Sequence, residues 1–428
     1  MTAYVDTYYK RTLSSDAAYP ALSGRHDVDV CIVGGGLAGL TTALELARRG
    51  HAVTVAEARR VAWGASGRNG GFVSPGWAAR ADQIRRLVGI DHAKALFRLS
   101  MEGVSMVVEA IRDLGIADAN VRAGILRVSR YENEAALKIQ RDEQEAEFGR
   151  KLRLLSRDEV RSLLVSKKYH EGLLDEGSFH FHPLNYARAL AREIVRLGGS
   201  VHEDTPIVSA DLASAEKRLR TPAGEVRART VVLAGGGYTD SIAPSLRRSF
   251  LPIATYVVLS ELAPELIAGA IRTQAGVSDG RRAGDYYRVV DGMLLWGGRI
   301  TTRTTDPRDI AAVIRHEMVT TYPQLEGLKV EAAWSGLMAY ARHLMPLIGP
   351  VMPNVWSCTA FGGHGLNTTA IGARVVAEAI SGDSDRYRLF EPFGFLWNGG
   401  PFGTAAVQLT YWAYQGMDFL REWRSARA

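Results

Sequence analysis

The tightest constraint on this chain lies near its start. Asp27–Val33 is a short, β-branched, apolar run with the character of a buried strand. Gly34-Gly35-Gly36-Leu37-Ala38-Gly39 follows at once, and Gly34, Gly36 and Gly39 fit G-x-G-x-x-G. The first glycine permits a tight turn, the second lets backbone approach a pyrophosphate, and the third lets a helix pack close to the strand. Leu40, Ala43, Leu44 and Ala47 share one helical face, and Gly50 is placed to stop that helix. Ala52–Ala56 reads as a second strand, ended by Glu57 eighteen residues after Gly39. A carboxylate there accepts hydrogen bonds from ribose hydroxyls and repels a 2′-phosphate. The order strand, glycines, helix, strand, acid predicts a parallel βαβ unit that holds a dinucleotide. Gly34, Gly36, Leu37, Ala38 and Gly39 would lie along the phosphates, with Glu57, Ala58 and Arg59 beyond them.

A second glycine-rich stretch, Gly64-Ala65-Ser66-Gly67-Arg68-Asn69-Gly70-Gly71, stands where a nicotinamide enzyme would continue into another helix and strand. Small residues there let backbone pass close to a large planar ring and offer N–H donors to it. Ala65, Ser66, Arg68, Asn69, Gly70 and Gly71 are therefore candidate cofactor contacts. Far down the chain, Pro346–Pro350 precedes a strand, Val355–Phe361, then Gly362-Gly363-His364-Gly365 and a helix from Leu366 to Ile380.

Together these three stretches resemble the FAD-dependent amine and amino-acid oxidoreductases, the family that includes D-amino-acid oxidase, glycine oxidase and sarcosine oxidase. His182-Pro183-Leu184-Asn185, Asp285-Tyr286-Tyr287-Arg288 and Tyr322-Pro323-Gln324-Leu325 resemble the gamma-glutamylputrescine oxidoreductase branch of it. The resemblance implies FAD, held without a covalent bond. It also implies a hydride passed from the carbon beside an amine nitrogen to flavin N5, and an imine that then hydrolyses. Gly363, His364, Gly365 and Leu366 would meet the flavin, the helix start stabilising the anion of the reduced ring.

The fold class expected is an α/β, Rossmann-like FAD-binding domain made of separate chain segments, plus an α+β substrate domain with a mainly antiparallel sheet. The first takes residues 1–80, 184–250 and 346–428, the second 81–183 and 251–345. Strand-like Pro206–Val208 and Thr230–Ala234 would bring Val208 and Gly235 to the cofactor.

Hydride transfer to a flavin needs aromatic walls and few charges around a neutral amine. Tyr256, Tyr286, Tyr287, Trp296, Trp334 and Tyr340 are candidates, and Arg299 or Arg342 could hold a substrate carboxylate. His364, Trp296, Tyr287 and Arg299 are the residues expected at the reacting end, and His182 is a further candidate. Sarcosine-type oxidases place a lysine near flavin N5. The segment Asp291–Gly298 has none, with Trp296 near that place, so the acceptor stays open between oxygen, a quinone and an electron-carrier protein. Cys358 is expected to be buried and inert. An amino-acid oxidase or dehydrogenase is the alternative enzyme, and a non-catalytic flavin-holding subunit the alternative of another class.

Composition narrows the rest. The net charge is +6, but no run of Lys/Arg exceeds two, so nucleic acid is not an expected partner. Two cysteines exclude a disulfide scaffold, and the ten histidines show no metal-binding spacing. The start of the chain lacks a basic, apolar leader, which leads to an expectation of a cytoplasmic protein. Residues 392–417 carry no charge yet are broken by glycines, and an aromatic helix is expected over 405–423. That tail is expected to pack on its own domain rather than touch a membrane or a second subunit. Oligomeric state has no signal in the sequence.

Overall fold

The computed structural model describes residues 2–239, 242–281 and 284–425. Met1 and residues 426–428, which the sequence reading includes at the chain's two ends, lie outside that range.

Two sheets organise the chain. The first has eight strands, and its core order is Leu347–Met352, Val355–Thr359, Gly224–Leu233, Gly24–Val33, Val53–Ala56, Ser200–His202. All neighbours in this row are parallel except the first pair. Val30–Val33 lies between Val53–Ala56 on one side and Thr230–Leu233 on the other. A strand so placed is covered on both faces, which is why it reads as an unbroken apolar run. The helix Leu37–Arg48 covers one face together with the late helix Gly365–Ser381. This is the Rossmann-like layer, assembled from three distant parts of the chain.

The second sheet has nine strands and is antiparallel except where Gly276–Asp279 runs alongside Arg122–Val128. Its long members are Phe250–Ser260, Met293–Thr301 and Val330–Ala341. The helix Ile310–Thr321 packs on it and closes a second core around Trp296, Tyr287 and Tyr322.

Two expectations are corrected here. Pro206–Val208 is not a strand; pairing starts only at Ser209, and Val208 is exposed. Pro206 has no N–H to give a ladder, so the chain arrives as a loop. The tail is not a buried one. Its helix, Gly400–Ser425, has a single buried residue, Asp418. Among the described residues no helix is long and apolar enough to cross a membrane.

Candidate active site

A cavity of about 1150 Å³ runs between the two sheets and reaches every glycine-rich stretch singled out above. At one end the βαβ turn supplies Gly34, Gly36, Leu37 and Ala38. Gly34 adopts φ +111°, and a Cβ there would meet the Ala234 carbonyl oxygen at 2.8 Å. Gly39 stands behind the wall rather than on it: a Cβ would lie 1.9 Å from the Gly34 oxygen, so the helix touches its strand there. The Ser66 hydroxyl accepts from the Leu37 N–H at 3.0 Å, tying the glycine-rich loop to the helix start.

Glu57 lines the same end. Its carboxylate accepts from the Gly35 N–H at 2.6 Å and the Arg59 N–H at 2.9 Å. Burial still holds its carboxyl above the usual carboxylate range, with the two amides opposing. Arg59 stacks on Trp63 at 3.7 Å, and Arg68 lies over the same ring at 4.3 Å while donating to the Tyr238 hydroxyl at 2.6 Å. Trp63 and Tyr238 carry no motif, so the sequence does not single them out.

The middle of the cavity is the loop of residues 64–71. Asn69 fixes its shape: the side-chain amide donates to the Ala65 and Ser66 carbonyls at 2.9 Å each, and its oxygen accepts from the Gly71 N–H at 2.8 Å. Gly70 is required because a Cβ would meet Tyr286 at 2.6 Å. Ala58, Ala65 and Gly235 also line the cavity, whereas Val208 does not; its neighbours Pro206 and Ile207 do.

At the far end Gly363, His364, Gly365 and Leu366 form the wall with Met338 and Tyr340. The helix Gly365–Ser381 starts with no side-chain cap among the described residues, and its first residues Gly365 and Leu366 line the cavity, so the partial positive charge of the helix start lies at that end. His364 Nε2 lies 2.8 Å from the Ser74 carbonyl oxygen, an acceptor only, so that nitrogen carries the proton. Burial pushes the imidazole pKa down, with the Ser74 bond opposing. His364 is thus a neutral ring at this wall, and the positive field comes from the helix start.

The other residues expected at the reacting end sit elsewhere. Strand alternation puts Tyr286 on the cavity and Tyr287 on the opposite face. Tyr287 stacks on Trp296 at 4.2 Å and its hydroxyl lies between those of Tyr169 and Tyr322, at 3.0 and 2.6 Å. Both rings are core, and neither lines the cavity. Arg299 turns to Glu317 at 2.7 Å, and Arg342 is exposed. Trp334 donates to the Arg68 carbonyl at 2.9 Å from behind the loop, and Tyr256 is core. His182 caps the helix Pro183–Arg196. Of the aromatic candidates, Tyr286 and Tyr340 reach the cavity.

The structure adds an ionic cluster that the sequence does not reveal. Asp279, Arg281 and Asp285 line the cavity, with Arg130 behind them. Arg281 Nη2 is 2.7 Å from both carboxylates, and Arg130 Nη2 is 3.3 Å from Asp279. Asp285 is pushed up to about 7 by burial and by the neighbouring Asp279 charge. Asp279, although equally buried, is held low by Arg281 and Arg130.

The protein-family model described as "FAD dependent oxidoreductase" matches residues 29–379, which includes every wall of this cavity up to the late helix. The chain belongs to that family. It is 33% identical over 394 residues to gamma-glutamylputrescine oxidoreductase of Escherichia coli (strain K12), covering 91% of this chain and 92% of that one. Its fold is similar to that of glycine oxidase from Geobacillus kaustophilus, with a TM-score of 0.72, 21% identity and coverage of 87% and 99%. It is likewise similar to L-proline dehydrogenase from P. horikoshii, with a TM-score of 0.71, 19% identity and coverage of 87% and 98%. The protein is an FAD-dependent oxidoreductase, and the cavity fits that cofactor on its own chemistry. A helix start without a side-chain cap among the described residues lies at one end, a carboxylate for ribose at the other, and Gly34, Gly70 and Gly363 stand where a Cβ would collide with the wall. Thr359, on the wall between them, holds a buried hydroxyl with no hydrogen-bond partner among the described residues.

Proposed function

We propose that the protein oxidises the C–N bond of a small or polyamine-derived amine. FAD, when bound, supplies the hydride acceptor. The FAD-binding unit is taken as 1–80, 184–250 and 346–428, and the substrate unit as 81–183 and 251–345. Non-covalent binding is supported by Cys31 and Cys358, both free and fully buried, with thiols pushed up to about 12 by burial. Inert thiols of this kind suit the reducing cytoplasm expected for the chain.

One observation carries the substrate class. The two arginines expected to grip an α-carboxylate, Arg299 and Arg342, lie off the cavity, whereas the carboxylates of Asp279 and Asp285 lie on it near Tyr286. Arg281 already spends its donors on those carboxylates. Arg281 and Arg130 balance the two carboxylates, so what this wall offers beside Tyr286 is a proton acceptor, Asp285, rather than a free cation for a substrate carboxylate. Asp285, poised near neutrality, takes the ammonium proton and leaves the neutral amine from which a hydride can depart. Tyr286 and Tyr340 fill the apolar wall and exclude water from the imine until release.

Among the described residues no lysine lines the cavity. This supports slow reaction of the reduced enzyme with air and faster reaction with a quinone or an electron-carrier protein.

Anaerobic addition of an amine panel to the yellow protein tests the reading. Bleaching of the yellow flavin absorption by diamines or their N-acyl derivatives is the expected result. Bleaching by amino acids alone would make the protein an amino-acid oxidase or dehydrogenase. No bleaching by any amine would make it a flavin-holding subunit.

A further inference from the structure

The C-terminal helix Gly400–Ser425 is turned inside out. The side facing the protein carries the polar contacts: the Gln408 side-chain oxygen accepts from the Thr301 hydroxyl at 3.0 Å and the Thr302 N–H at 3.1 Å, with Val407 and Tyr411 half-buried beside it. Asp418 is buried, and Glu422 lies 3.8 Å from Arg281. The side facing solvent is apolar. Phe402 is 84% exposed, Phe419 68%, Trp412 61% and Leu409 60%. Trp397, just before the helix, is also exposed. A soluble helix normally shows the reverse arrangement, with its apolar stripe on the core.

From these observations we infer that this face docks on an anionic lipid surface. Charge placement decides the occupant. Both acids of the helix, Asp418 and Glu422, point inward, whereas Arg424 is exposed at its end beside Arg421, which is also exposed and donates to the Tyr131 hydroxyl at 3.4 Å. The outward face is therefore uncharged for most of its length, with Arg424 at its end and Arg421 at its edge. Lipid phosphates satisfy such a face. A second copy of it would not, because the face carries no acid to meet its own arginines. Aromatic and leucine side chains beside arginines are the composition of helices that lie in the headgroup region. The 26-residue helix spans about 39 Å at 1.5 Å per residue and lies on the bilayer rather than through it. Through Arg281, which lines the cavity, it rests at the cavity rim, so docking would set the cavity mouth beside the lipid. The inference is independent of which amine is oxidised.

The test uses the flavin-loaded protein sedimented with vesicles of phosphatidylcholine alone or mixed with phosphatidylglycerol. Pelleting with the mixed vesicles is expected, reduced about tenfold or more by Leu409→Glu with Phe419→Glu. Arg421→Glu with Arg424→Glu should weaken it several-fold and flatten its dependence on salt. Flavin content and turnover of a soluble amine should stay unchanged in both variants. Should the first variant fail to fold, quenching of wild-type tryptophan fluorescence by brominated lipid reports the same contact through Trp397 and Trp412. Wild-type protein that stays in the supernatant with both vesicle types, and shows no quenching, overturns the inference. So does a solution dimer that Leu409→Glu with Phe419→Glu splits.

Discussion

Two helices of this chain have similar apolar composition and opposite surroundings. Leu37–Arg48 buries ten of its twelve residues, including Glu45; Gly400–Ser425 buries one of twenty-six. The first is covered from two sides, by the central parallel strands and by the late helix Gly365–Ser381. Glu45 is tolerated inside because Arg49 reaches it at 2.8 Å and Arg374 at 3.4 Å. The second is held to the molecule by polar contacts from Gln408 and Glu422, with Val407 and Tyr411 half-buried beside them. Apolar content states that a helix needs a partner, but the angular placement of its polar residues states where the protein ends.

The largest effect should come from the contact that makes the first helix what it is. Gly39→Ala puts a Cβ within 1.9 Å of the Gly34 oxygen and must push the helix off its strand. A loss of FAD affinity of about 100-fold or more is expected, or protein purified without flavin, read from its yellow absorption. Yellow protein of unchanged affinity would mean that the turn does not hold the dinucleotide. Leu40→Ala, in the same helix and fully buried, should cost about 2–5 kcal/mol in chemical denaturation.

Glu57 comes next. Glu57→Gln keeps one acceptor and loses the other, leaving either the Gly35 or the Arg59 amide unmatched. About 1–3 kcal/mol of FAD affinity is at stake, roughly five- to 150-fold in Kd. Flavin titration of the apoprotein measures it, and an unchanged Kd would remove Glu57 from the site.

A pH profile sharpens the contrast from the cavity side. Asp285 is raised by burial and by Asp279, so its ionised fraction is still climbing around neutrality. Only the ionised form accepts a proton, so kcat/KM should rise with pH through that range. The substrate's own amine also deprotonates as pH rises, so the comparison that matters is with Asp285→Asn. That variant should lose the neutral limb and keep the one belonging to the amine. Identical profiles would exclude Asp285 as the proton acceptor.

These sites differ in how far the sequence discloses them. The βαβ turn was legible because each glycine answers a local demand: a positive φ at Gly34, a bare contact at Gly39. The loop through Asn69 and the start at His364 were legible for the same reason. Tyr286 and Tyr287 were not separable, since alternation tells that two neighbours part but not which one meets the cavity. The cluster of Arg130, Asp279 and Asp285 joins residues about 150 apart, with no spacing to betray it. Arg299 reads as a carboxylate clamp until Glu317, on a different element, is seen to occupy it. The tail was misread for a related reason. Its lack of charge says nothing about Gln408, whose three hydrogen bonds to Thr301 and Thr302 turn the apolar side outward.

The smallest effect should be the most telling. Leu409→Ala removes the same atoms as Leu40→Ala, from a helix whose leucine is mostly in water. In the protein alone it should change stability by no more than about 0.5 kcal/mol, since almost no contact is lost and alanine is the better helix former. Denaturation midpoints of the two variants, measured side by side without lipid, give the ratio. A cost for Leu409→Ala approaching that of Leu40→Ala would show that the outer face is already covered in solution. The helix would then be part of an interface between protein surfaces, and its inverted pattern would need no lipid to explain it.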